Sequence, residues 1–174
     1  MSEYFDALTD AMSSLAEDPR TVFIGQAVEC PGTGMFNTLK GVPMERRIEL
    51  PVAEDMQMGM AIGMSLAGLL PVCIYPRFNF LLLAVNQLVL HLDKLPTYSG
   101  GAYVPKVIIR TAIATDDPLD PGPQHLGDFT DAIYMMLNTV SIFRMETPQD
   151  VTDYYKRATT RTCSTILVEQ ACKY

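Results

Sequence analysis

The sequence predicts an α/β protein, a doubly wound, mostly parallel sheet with helices on both faces. Three observations predict it. Apolar runs of four to six residues alternate with helical patterns along the chain. These runs are apolar at nearly every position, as strands covered on both faces are. The segments between them are long enough for the right-handed crossovers that join parallel neighbours. Ligands of such sheets lie beyond the carboxyl ends of the strands.

The elements follow in order. Residues 3–16 read as a helix, because Tyr4, Leu8, Ala11, Met12 and Leu15 fall on one face. Residues 21–24 form a short buried strand. Pro31, Gly32, Gly34, Gly41 and Pro43 make 29–44 a long loop, and long loops in compact domains often serve function. Residues 47–50 read as a strand leading to Pro51. A helix rich in small residues is expected over 54–67 and an apolar strand over 70–75. Residues 79–93 carry a strongly apolar helical pattern. Gly100 and Gly101 turn the chain into a strand at 106–110. Residues 114–127, rich in Asp, Pro and Gly, read as loop. A helix at 128–137, a strand at 141–145, a helix at 148–160 and a strand at 165–169 complete the pattern.

Composition narrows the function classes. The 174 residues suit one domain spanning 1–174. With 48% apolar residues the chain has the means to form a core. The net charge of −7 argues against nucleic acid or an anionic membrane as partner. The four cysteines form no C-x-x-C pair, and His91 and His125 are the only histidines, so no zinc site is expected, and a chain this large and apolar needs no disulfide framework. Free thiols point to a reducing compartment, with the cytoplasm expected. The acidic, amphipathic start carries no signal-peptide pattern. The uncharged stretch 58–74 is interrupted by Pro71 and three glycines, and reads as a helix and a strand rather than a membrane span.

Nucleotide binding through Gly32-Thr33-Gly34 fails on its own terms. Asn37 stands where a G-x-G-x-x-G run needs its third glycine. Asp116, Asp117 and Asp120 lack EF-hand spacing, so a solvated acidic loop is expected there.

A different set of segments occurs in a telling order: Val22-Phe23-Ile24-Gly25, Pro51-Val52-Ala53-Glu54, Gly59-Met60-Ala61-Ile62-Gly63, Ala67-Gly68-Leu69-Leu70-Pro71-Val72, Phe78-Asn79-Phe80, Ser99-Gly100-Gly101, Val104-Pro105, Ile109-Arg110 and Gly122-Pro123-Gln124-His125. Together they resemble the pyrimidine-binding domain of transketolase-like thiamine diphosphate (ThDP) enzymes, and most nearly the β subunit of 2-oxoacid dehydrogenase E1 components. The likeness runs from about Tyr4 to Glu169. It implies a ThDP-binding fold and ThDP as cofactor.

The resemblance assigns roles residue by residue. Glu54 would hydrogen-bond the aminopyrimidine ring nitrogen and so activate the cofactor. Without the resemblance it reads as a helix N-terminal acid favoured by the dipole. Phe80 would pack on the aminopyrimidine ring. Its alternative is ordinary core among Phe78 and Leu81 to Leu83. Pro76 falls where the family often has a further apolar pocket residue. His125 would face the reacting centre and assist proton transfer or substrate binding, against a solvated loop histidine otherwise. His91, inside an apolar helix, reads as structural. Gly59, Gly63 and Gly68 leave a thin helix face, for a subunit interface or for close packing on the chain's own sheet. The methionines at 56, 58, 60 and 64 read as adaptable packing.

Departures matter as well. The family's diphosphate module carries Gly-Asp-Gly with a downstream Asn, whereas Gly127-Asp128 is followed here by Phe129. The family's β subunits continue into a further domain, and the sequence stops at Tyr174. The resemblance therefore implies a diphosphate-binding, α-type partner subunit that holds the diphosphate and Mg²⁺, in a dimer or α2β2 assembly. Thr111-Ala112-Ile113 follows Arg110 where the family tends to place glycine. The expected function is a subunit of a split ThDP enzyme acting on a 2-oxo acid. The alternatives are ketol transfer, or a non-catalytic subunit that stabilises or regulates such an enzyme.

Overall fold

A computed structural model describes residues 2–116 and 120–174. Six strands form one sheet, β1 (Thr21–Gly25), β2 (Arg47–Glu49), β3 (Leu70–Tyr75), β4 (Ile108–Ile113), β5 (Ser141–Arg144) and β6 (Thr165–Gln170), in the order β2-β1-β3-β4-β6-β5. Every pairing is parallel. The chain leaves β1 toward β2 and returns across it to β3. This reversal opens a crevice beyond the carboxyl ends of β1 and β3, where open α/β sheets take ligands.

Alternation along each strand builds two cores. Phe23, Val72, Ile74, Ile108 and Leu167 face α1 (Glu3–Leu15) and α7 (Pro148–Thr160). Ile24, Cys73, Tyr75, Ile109, Ile166 and Val168 face α3 (Glu54–Leu66), α4 (Phe78–Leu81) and the helical turns that continue α4 to Leu92. The helices begin where the chain supplies caps. Ser2 accepts from the Phe5 amide, and Thr147 with Asp150 forms a reciprocal capping box ahead of Pro148.

The sheet is wholly parallel, and several boundaries differ from the sequence reading. The long loop contains a helical turn, α2 (Gly34–Asn37), capped by Thr33. The apolar helix expected over 79–93 is not one α-helix. It runs through α4, a 3₁₀ turn (Leu82–Ala84) and a π-helical segment (Gln87–Leu92). The wide turn ends at Asp93, whose carboxylate accepts from the amides of Asn138, Thr139 and Val140. A further turn, α5 (Leu95–Tyr98), precedes the two glycines. β4 starts later and extends farther than 106–110, because the amides of Lys106 and Val107 bond to Ser65 and Ser164 side chains and the ladder with β6 reaches Ile113. The helix expected over 128–137 shortens to α6 (Thr130–Tyr134), ahead of which the Asp128 carboxylate accepts from the Thr130 amide.

One buried ion pair ties the sheet to the α1/α7 face. Arg110 and Glu169 are fully buried and joined through two nitrogens. Tyr155 and Tyr174 donate to the same carboxylate. Burial opposes charging of Arg110, but the adjacent Glu169 more than offsets it and holds the guanidinium firmly protonated.

Candidate functional site

The crevice is built first by backbone. Gly25 ends β1 at φ +145, and a Cβ there would overlap the Ile74 carbonyl oxygen and crowd the Gln57 amide. The chain then turns through Ala27, a non-glycine residue at φ +57. The amides of Ala27, Val28 and Glu29 hold this turn by donating to the Glu49 carboxylate at 2.9, 2.7 and 2.8 Å. Three successive amides on one anion form a nest. Below it, buried Arg47 donates to the carbonyls of Val28 and Val42 at 3.1 and 2.7 Å and shapes the loop between them.

Glu54 opens α3 at this edge and is 4% exposed. Its Oε1 accepts from Gln26 Nε2 at 3.1 Å. Its backbone carbonyl accepts from the Tyr75 hydroxyl at 3.1 Å, which fixes the helix start against the end of β3. Burial, with Cys73 and Glu54 nearby, pushes the Tyr75 hydroxyl far up, so it stays a donor. One turn along, Gln57 Nε2 donates to the Ile74 carbonyl at 2.8 Å. Burial likewise raises the neighbouring Cys73 thiol to about 11, which leaves it a neutral packing group. Glu54 Oε2 makes no hydrogen bond among the described residues and is not among their fully buried unpaired atoms. It can therefore meet a donor from outside the chain.

The segment after β3 carries Pro76, Arg77 and then α4, and the loop 121–129 folds over it. His125 ends a 3₁₀ turn (Pro123–His125). Its Nδ1 lies 3.0 Å from Asn79 Oδ1. A carbonyl oxygen only accepts, so Nδ1 carries the hydrogen and Nε2 is left for another partner. The His125 ring meets Phe80 edge-on at 5.8 Å, and Phe78 packs edge-on against Phe129 at 5.6 Å. The structure thus brings His125 and Phe80 together. Glu54 joins the end of β3 through Tyr75, and Pro76 lines a separate cavity on the same segment. His91 is exposed on its helix. Gln26 and Asn79 were not singled out from the sequence. The one available signal was position, directly after Gly25 and inside Phe78-Asn79-Phe80.

The thin face of α3 points outward. Gly59 and Gly63 are exposed, with nothing within 4 Å of where a Cβ would stand. They do not pack on the chain's own sheet. Val52 and Met56 beside them, and Leu83 and Leu90 on the following helical segment, are 78%, 44%, 63% and 49% exposed. Among the described residues no three His, Cys, Asp or Glu side chains are grouped as metal ligands are. Asp117, one of the three loop acids, lies outside the described residues. No helix among the described residues is long and apolar enough to cross a membrane.

Comparison with known proteins places this geometry. The family "Transketolase, pyrimidine binding domain" matches residues 2–172. The pyruvate dehydrogenase E1 component subunit beta of Chaetosphaeridium globosum is 34% identical over 111 residues, covering 61% of this chain and 34% of that protein. The chloroplastic subunit beta-4 of Oryza sativa subsp. japonica is 33% identical over 111 residues, covering 61% and 28%. The mitochondrial subunit beta of Chaetomium thermophilum is 33% identical over 101 residues, covering 55% and 26%. The chain thus spans about a third or less of these relatives. A solved structure described as a split gene transketolase, inactive beta4 tetramer, superposes with a TM-score of 0.65 at 19% identity. That match covers 97% of this chain and 51% of the other.

Proposed function

The chain belongs to the transketolase pyrimidine-binding domain family, and from that premise we propose that it is the pyrimidine-binding subunit of a split ThDP-dependent enzyme acting on a 2-oxo acid. In this reading residues 1–174 are a single such domain. The observation that carries it is Glu54, a buried carboxylate at the switch-point crevice with one oxygen held by Gln26 and the other unbonded. The unbonded oxygen is an acceptor of the kind a protonated ring nitrogen needs.

When bound, ThDP supplies the acidic carbon and the electron sink for chemistry at a carbonyl. Glu54 holds a proton at the aminopyrimidine ring nitrogen, with Gln26 fixing its other oxygen. Phe80 offers ring surface to the aminopyrimidine, and Pro76, on the segment leading to it, borders the adjoining cavity. His125, its Nδ1 committed to Asn79, moves a proton at Nε2. The diphosphate and Mg²⁺ are assigned to an α-type partner subunit, in a dimer or α2β2 assembly.

The outward glycines support the partner. Glycine inside a helix costs about 1 kcal/mol relative to alanine, and among the described residues nothing packs on Gly59 or Gly63 to offset that. A second backbone approaching α3 does offset it, and it covers Val52, Met56 and Leu83. A reducing compartment such as the cytoplasm suits the exposed thiols of Cys30 and Cys172.

The test is reconstitution. The chain is tagged in its native host and its stoichiometric partner recovered. The complex is then assayed for ThDP-dependent turnover of 2-oxo acids and of ketose donors. The Glu54→Gln complex is expected to assemble and be inactive. Near-wild-type turnover in that variant sinks the mechanism, and a preference for ketoses moves the reading to ketol transfer. A complex that assembles but takes up no ThDP makes the chain a stabilising subunit.

A further inference from the structure

We propose that the cavity beyond β3 and β4 is an oxyanion subsite, in which Arg77 binds the anionic end of the substrate. Its volume is about 290 Å³. That is the low end of ligand pockets, room for a phosphate or a short carboxylate arm rather than a whole coenzyme.

Charge singles the cavity out. Arg77 is the one cation lining it among the described residues, and no acidic side chain lines it there. Arg77 is half-buried, and its guanidinium makes no hydrogen bond or ion pair among the described residues. The other seven arginines are all engaged. Arg20, Arg110 and Arg144 are in ion pairs. Arg46 and Arg47 donate to carbonyls, Arg157 lies over Phe143, and Arg161 donates to Cys163. A guanidinium kept partly out of water and unpaired has five N–H donors to give, in a planar fork that matches two oxygens of one oxyanion.

Position connects the cavity to the chemistry. The segment after β3 gives Pro76 and Arg77 to the cavity, and Asn79 and Phe80 to the His125 cluster. The loop from Pro121 likewise gives Pro121 to the cavity and His125 to the cluster. The cavity and the cluster assigned to proton transfer are thus built from the same two chain segments. That last link rests on the proposed function, whereas anion binding itself does not. The walls are firm. Tyr174 closes the side at Gly34, where a Cβ would overlap its ring, and its hydroxyl is anchored on Glu169.

The experiment is titration of the ¹⁵N-labelled full chain with inorganic phosphate and, separately, with acetate, at constant ionic strength. Saturable shifts are expected at the amides of Gly32, Thr33, Gly34 and Arg77, weaker by about five-fold or more in Arg77→Gln and partly restored in Arg77→Lys. Saturation by either anion supports the subsite, and the one that saturates tells a phosphate ester from a carboxylate. Non-saturating shifts, or equal binding by an Arg77→Gln chain of unchanged melting temperature, overturn it. In the reconstituted complex Arg77→Gln is expected to raise KM for anionic substrates by about ten-fold while kcat stays within about two-fold, the signature of lost ground-state binding. Anion binding by the chain beside a complex without ThDP activity supports the subsite and sinks the proposed function. ThDP activity without anion binding does the reverse.

Discussion

Asn79 Oδ1 sits 3.0 Å from His125 Nδ1 and fixes which ring nitrogen carries the hydrogen. The bond joins two segments 46 positions apart, so it orients the imidazole as well as setting its tautomer. Replacing Asn79 by Leu is expected to leave the fold intact and let both neutral tautomers populate. Ring ¹⁵N shifts of His125 report this directly. A single unchanged tautomer in the variant removes Asn79 from that role. In the assembled enzyme His125→Ala is expected to cost about 10²-fold or more in kcat, the usual worth of a positioned proton-transfer group.

Gln26 makes the side-chain hydrogen bond to the Glu54 carboxylate. Gln26→Ala removes one bond to a charged group, worth about 1.5–3 kcal/mol at most. Activity in the reconstituted complex is expected to fall by roughly 10-fold to 100-fold on that scale, with the melting temperature nearly unchanged. Equal loss of activity and stability would show that Gln26 supports the fold rather than the acid.

Gly25→Ala tests the crevice itself. The position combines φ +145 with direct overlap of backbone at Ile74. Destabilisation of at least about 2 kcal/mol is expected, seen as a drop in melting temperature of roughly 5 °C or more at this chain length. Gly59→Ala, where a Cβ meets nothing, is expected to stabilise the isolated chain slightly and weaken association with the partner. Calorimetric titration of the two subunits measures the second effect.

Asp93 gives a pH dependence. Burial alone raises its pKa, but Lys94 and the amides of Val140, Thr139 and Asn138 outweigh it and hold the carboxyl below the ordinary value of 3.8. A depressed carboxyl contributes stability above its unfolded pKa and loses it as pH falls through the folded one. Unfolding free energy should therefore fall more steeply below about pH 4 in the parent than in Asp93→Asn, which should itself be less stable by about 1–3 kcal/mol near neutrality. Parallel pH curves for the two proteins would falsify this role.

The Arg110–Glu169 pair is fully buried. Arg110→Met strands the Glu169 charge and is expected to cost about 3–5 kcal/mol, read from denaturant unfolding. The double variant Arg110→Met with Glu169→Leu should recover part of that loss.

What the sequence made legible was local or ordered along the chain. Apolar runs located the six strands of the described residues within a few residues, and the candidate roles of Glu54, Phe80 and His125 came from motifs that occur in family order. What it left dark depends on distant partners. Nothing near Gln26 or Asn79 in the chain says which acid or imidazole each will meet. The wide turn before Asp93 answers to three amides more than forty residues away, so an apolar helical pattern could not show it. Glu49 looked like an ordinary strand residue until the nest at Ala27, Val28 and Glu29 closed on it. Arg77 is the opposite case, a side chain with no partner among the described residues.

The two outermost strands, β2 and β5, have only three and four residues. Their unpaired rims are thus brief, and part-exposed Arg144 at the end of β5 adds a charge there. Long flat rims would recruit copies of the same chain into stacked aggregates. On the proposed reading, the short borders leave the uncovered helix face of α3, rather than a sheet edge, as the place where a partner joins.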